Sequence, residues 1–170
     1  MAYRKKHVRV TVELLDELLE EIRQKFNSSP APLYLKKRLK SIHPIFHIVN
    51  RPNWYLYGQA WAVGKWTKKD IAKRQLHIRE KTHPSVALDG DIYFLVIQIN
   101  KGAIRMITRR GLRYLLAHEL AHILQICIDE EVDCGYSYST EADHDEKWTR
   151  YAKWMGGTGS ELIPFKEIWV

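Results

Sequence analysis

The sequence predicts an α+β fold, with helices flanking a small sheet, and three observations carry that reading. Apolar residues recur at helical spacing over 11–26. The run Ile92-Tyr93-Phe94-Leu95-Val96-Ile97-Gln98-Ile99 has the β-branched and aromatic composition of a strand. A third segment, Leu112 to Asp133, is apolar-rich and holds neither Pro nor Gly, as a buried helix requires. With 170 residues, 45% of them apolar, the chain reads as one domain able to build its core without covalent staples. Within it, 1–53 reads as a helical, basic N-terminal part, 54–157 as the core and 158–170 as a tail.

The elements follow in order. From Thr11 to Phe26, Leu15, Leu18, Leu19, Ile22 and Phe26 share one helix face. Glu13, Asp16 and Glu17 suit its first turn and Arg23 and Lys25 its last. Asn27-Ser28-Ser29-Pro30-Ala31-Pro32 stops it. A short basic helix is expected over Leu33–Ile42, before Pro44. Trp54 to Val63 reads as a strand closed by Gly64. Residues 68–81 fit a helix or an exposed strand. Asp89-Gly90-Asp91 is a turn ahead of the run at 92–99, which Asn100-Lys101-Gly102 ends. The next helix is expected from about Thr108 to Asp129, then an acidic loop over 129–139. A last helix is expected from His144 to Met155, stopped by Gly156-Gly157.

The net charge of +7 hides an asymmetry. Residues 1–111 carry 22 Lys/Arg against 9 Asp/Glu, whereas 112–170 carry 5 against 11. Basic clusters stand at Arg4-Lys5-Lys6, at Lys36-Lys37-Arg38 with Lys40, at Lys68-Lys69 with Lys73-Arg74, and at Arg109-Arg110. Tyr34, Trp54, Tyr55, Tyr57, Trp61 and Trp66 lie among them. A groove for single-stranded nucleic acid combines such cations with aromatic platforms, and a solvated basic surface is the plainer reading. Two cysteines, Cys127 and Cys134, are too few for a disulfide scaffold and are not spaced as a zinc CxxC pair. A reduced, intracellular setting is the expectation. The basic N-terminus has no apolar stretch after it, so it does not read as a signal peptide, and no run is long enough to span a membrane.

His118-Glu119-Leu120-Ala121-His122 carries the chemistry. HExxH on a helix is a zinc-peptidase signature. Residues four apart lie on one face, so both imidazoles reach one ion. Glu119 projects about 100° round the helix, free to act as general base on a metal-activated water. Packed as bare core residues, the two His and the Glu would each need a hydrogen-bond partner. A catalytic zinc takes three protein ligands and leaves a position open. His144, 22 residues beyond His122, is the first candidate for the third. Glu141 is the rival, and Asp143 and Asp145 are further oxygen donors that could instead orient a histidine. Tyr136 and Tyr138, between the ligands, are candidate donors to the oxyanion of acyl transfer.

The chain resembles the SprT-like zinc metallopeptidases, the family that includes Spartan. Ile97-Gln98-Ile99-Asn100 is similar to their extended I-x-[LI]-[SN] segment, and Leu115 to His122 to their motif helix. His144-Asp145-Glu146-Lys147-Trp148 is similar to the opening of their second helix, a His-Gly with an aromatic three residues after the Gly. Asp145 stands here where that Gly belongs. The likeness covers roughly residues 92–157, and no Cys-rich zinc ribbon follows. It implies a zincin-like core, one Zn2+ held by His118, His122 and His144, and hydrolysis of peptide bonds with Glu119 as base. It also implies protein substrates held on or crosslinked to DNA, single- or double-stranded, for which Lys36, Lys37, Arg38 and Lys40 are the candidate contacts. Two alternatives stay open: a zinc peptidase without any DNA role, and a non-catalytic nucleic-acid-binding domain with a structural metal. Nothing in the residues sets an oligomeric state.

Overall fold

Four helices and eight strands make up the residues that the computed structural model describes, which are 7–53, 56–64, 86–88, 91–104, 106–129, 136–138, 144–159 and 168–169. The fold is mixed α+β, as expected. In chain order the elements are β1 (His7–Val8), α1 (Val12–Asn27), α2 (Leu33–Ser41), β2 (Ile45–Val49), β3 (Gly58–Gly64), β4 (Val86–Leu88) and β5 (Asp91–Asn100). Then come β6 (Met106–Thr108), α3 (Arg109–Asp129), β7 (Tyr136–Tyr138), α4 (Glu146–Trp154) and β8 (Ile168–Trp169).

Helix α1 forms where its apolar period demands. Leu15, Leu18, Leu19, Ile22 and Phe26 are all buried, and each such side chain contributes about 1.5–3 kcal/mol on leaving water. The Thr11 hydroxyl caps it by accepting from the Leu14 N–H at 3.2 Å. Helix α2 buries only Leu35 and Leu39 and turns its basic side outward. Helix α3 opens in the same way as α1, the Thr108 hydroxyl accepting from Gly111 N–H at 3.0 Å. Its middle is buried almost all round: Leu112, Leu116, Ala117, Leu120, Ala121, Ile123 and Leu124 are all inaccessible. Arg109 ties its start to α1, its guanidinium gripping Glu21 at 2.5 and 2.9 Å and reaching Glu17 at 3.5 Å. That hydrogen-bonded grip holds the Glu21 carboxyl below the usual carboxylate range.

The larger sheet has the order β2-β5-β3-β7, with β4 also on β5. β5 is its spine. β3 runs antiparallel along it from Gly58↔Ile99 to Gly64↔Tyr93. β2 lies parallel to its second half, from Ile45↔Val96 to Val49↔Asn100, and β4 antiparallel to its first residues. A smaller sheet has the order β1-β6-β8.

Several expectations change. β3 begins at Gly58 rather than Trp54: Leu56 and Tyr57 precede it, their carbonyls bound by the Asn100 side chain and backbone. Residues 136–138 are strand rather than loop, because β7 completes its hydrogen bonds on the edge of β3, Trp61↔Tyr138 to Val63↔Tyr136. Strand β2, absent from the sequence reading, pairs across more than forty residues of chain. The ambiguous segment 68–81, the turn residues Asp89 and Gly90, and Cys134 lie outside the described residues. Among the described residues, no helix is long and apolar enough to cross a membrane.

Candidate metal centre

Helix α3 presents His118 and His122 one turn apart, and the segment just ahead of α4 brings His144 to meet them. Their Nε2 atoms converge: His118–His122 at 3.3 Å, His122–His144 at 3.0 Å and His118–His144 at 3.1 Å. A tetrahedral ion with Zn–N bonds of about 2.0–2.1 Å needs nitrogens about 3.3–3.4 Å apart, so the triangle matches one face of such a site. Three mutually facing ring nitrogens are poorly satisfied by hydrogen bonds alone, since a neutral imidazole has one donor and one acceptor. The donor set therefore fits a metal ion. Burial, then the neighbouring His122 and His144, push the His118 pKa down to about 3. His118 is thus neutral at pH 7, the form that offers a lone pair to a metal.

Trp148, only 1% exposed, is the floor of this cluster. Its ring lies 4.7 Å from that of His118, 4.5 Å from His144 and 5.5 Å from His122. Its indole N–H donates to the His118 carbonyl at 3.2 Å. The aromatic four residues after His144 thus sets the height at which α4 meets α3. Helix α4 starts at Glu146, two residues later than the sequence suggests, because Asp145 caps it by accepting from Trp148 N–H at 2.8 Å. His144 therefore sits just ahead of the cap, outside the helix. Asp145 also accepts from the Gln125 amide at 3.1 Å. The residue standing where the SprT-like motif has Gly is thus a helix cap bonded to α3.

Glu119 is buried, 3% exposed, and burial pushes its carboxyl up to about 8. It reaches the start of β3, where Gly58 makes room: a Cβ there would lie 2.7 Å from Glu119 Oε1 and 3.1 Å from Leu115 Cδ1. Sequence reasoning missed Gly58, and it missed Gln125, one turn beyond His122. The i, i+3 spacing from His122 was the available signal for Gln125.

The remaining candidates scatter. Glu141 and Asp143 lie outside the described residues. Tyr136 and Tyr138 stand on β7, one strand over from Gly58 on β3. Lys36 and Lys40 share a groove of about 250 Å3 with Glu20, Arg23, Asn27, Leu39 and His43. Lys37 is exposed near them. Arg38 points elsewhere: it acts electrostatically on Cys127, whose thiol burial pushes up to about 12. Positions 36 and 38 differ by about 200° on a helix, so the four cations do not form one patch. Arg109, counted in a basic cluster, is engaged by Glu21 and Glu17.

No family model, curated protein or solved structure matches the chain. The likeness to SprT-like peptidases rests on the residues quoted for it.

Proposed function

We propose that this protein is a zinc-dependent endopeptidase of the SprT-like, zincin-like kind. The observation that carries the proposal is the buried Glu119 carboxylate on the same helix as two of three converging imidazoles. A purely structural metal site has no use for a carboxylate beside it, and burying one is costly. Three imidazoles favour zinc over harder cations. His118, His122 and His144 would hold the ion, leaving the fourth position to the reacting groups. When bound, zinc supplies a Lewis acid that polarises the scissile carbonyl and draws the pKa of water towards neutrality.

The chain's own residues do the rest. Glu119 takes the proton of the attacking water and delivers it to the leaving amine. A carboxyl that burial raises to about 8 lies within about one unit of neutrality, which suits a group that must both accept and release a proton. Gly58 keeps that carboxylate in its slot, and Trp148 holds the ligand helix and the third histidine together.

We extend the proposal to substrates held on or crosslinked to DNA. The support is the basic excess of residues 1–111 and the outward-facing Lys37 and Lys40 on α2. Glu119→Gln tests the mechanism: it should keep one metal per chain and lose cleavage of a DNA-binding protein. Full activity in that variant would overturn the role of Glu119. Wild-type cleavage should rise when DNA is added and fall back with salt; cleavage indifferent to DNA would leave a peptidase without a DNA role.

A further inference from the structure

Asp145 is a carboxylate, and as an anion it can only accept hydrogen bonds. It lies 3.1 Å from the Gln125 Nε2, so the amide of Gln125 must turn its NH2 towards Asp145. Its carbonyl oxygen is thereby aimed the other way, at His122 Nδ1, 3.2 Å off. An amide oxygen can only accept, so His122 Nδ1 must carry the ring proton. The lone pair of His122 is then on Nε2, the atom that faces His118 and His144. Gln125 is 8% exposed and His122 2%, so water competes little with the bond between them, whereas the bond to Asp145 lies nearer the surface.

The same amide is linked to the third histidine through Asp145. Asp145 follows His144 directly, and its Oδ1 takes both the Gln125 amide and the capping Trp148 N–H. One side chain thus fixes the tautomer of a histidine on α3 and anchors the segment that brings His144 from α4.

We infer that Gln125 is a positioning residue of the metal centre, setting the Nδ1–H tautomer of His122 and, through Asp145, the placement of His144. The inference rests on the metal-centre reading, and its test separates the two. Nitrogen-15 NMR of the imidazoles in the metal-free chain at neutral pH should find His122 protonated on Nδ1. An Nε2-protonated His122 would overturn the relay whatever the metal does.

Gln125→Met keeps the length of the side chain and removes both bonds. Its metal affinity, by competition with a chelator, should fall about 10–100-fold. The visible bands of the cobalt-loaded protein should shift, and His122 should become a mixture of tautomers. Gln125→Glu keeps an acceptor for His122 and should retain its tautomer while losing the Asp145 bond, with a smaller loss of affinity. Equal affinity and an unchanged cobalt spectrum in Gln125→Met would overturn the inference. A wild-type chain that binds no metal would overturn the metal centre, and the NMR result on His122 would still decide the relay.

Discussion

At the scale of single residues, Gly58 shows how function and stability separate. Among the described glycines only Gly156 and Gly159 have positive φ, so Gly58 has a backbone that any residue adopts. Its absent Cβ matters for contact alone: the nearest atom is the end of the Glu119 side chain. That carboxylate can swing aside at modest cost to the fold, and Ala suits a strand at least as well as Gly. Swinging aside, however, moves the proposed base. Gly58→Ala should therefore melt within about 1 kcal/mol of the wild type, bind metal as before, and lose about 100-fold in kcat. Unchanged kcat would mean that Glu119 does not work from this slot. Gly58 was not legible in the sequence, since nothing local ties it to a residue sixty positions on. The three histidines and Glu119 were, because a helical period and one following helix are short-range signals.

At the scale of elements, the Asn100 side chain ties both ends of the connection between β2 and β3. Asn100, 1% exposed at the end of β5, accepts from Arg51 N–H at 2.9 Å and Gly102 N–H at 3.1 Å. It donates to the carbonyls of Arg51 at 3.0 Å and Leu56 at 3.1 Å. Gly102 lets the chain pass: a Cβ there would lie 2.5 Å from the Arg51 backbone nitrogen. This clasp leads straight into Gly58, so it also aims the strand against Glu119. Asn100→Leu would strand several backbone groups and should cost about 2–3 kcal/mol. A lower urea midpoint at an unchanged slope would show it. A loss under about 0.5 kcal/mol would place Asn100 among ordinary surface changes.

Read from sequence, Asn100 ends a strand and closes the segment similar to I-x-[LI]-[SN], with no sign of the clasp. Apart from Gly102, the partners of its side chain lie 44 and 49 positions away, beyond the reach of a local pattern. The same limit hid β2 and β7, whose pairing is set across the sheet. Helices α1 to α4 satisfy their backbone within themselves, so period and caps found them to within three residues. Asp145 was half legible: it was seen as an oxygen donor beside His144, but its capping, which moves the helix start past it, was not.

At the scale of the whole molecule, the proposed ion would act as a clasp. α3 runs through the core, and α4 packs on it through Trp148, Tyr151, Ala152 and Met155, all buried. His144 joins the two helices and is itself half-buried beside exposed Asp145 and Glu146. Metal binding should thus report on the fold. A ligand that binds only the folded chain stabilises it by about 2.7 kcal/mol at a hundredfold excess over Kd. For a domain of 170 residues that is a rise in Tm of about 5–10 °C. His144→Ala leaves two imidazoles on one helix, which no longer link α3 to α4. Its metal-free Tm should stay near the wild type, since the substituted side chain is half-buried and lies outside the helix. The rise on adding zinc should largely vanish, and metal analysis should find the site depleted. A zinc-dependent rise in His144→Ala equal to that of the wild type would place the third ligand elsewhere, with Glu141 the first residue to change next.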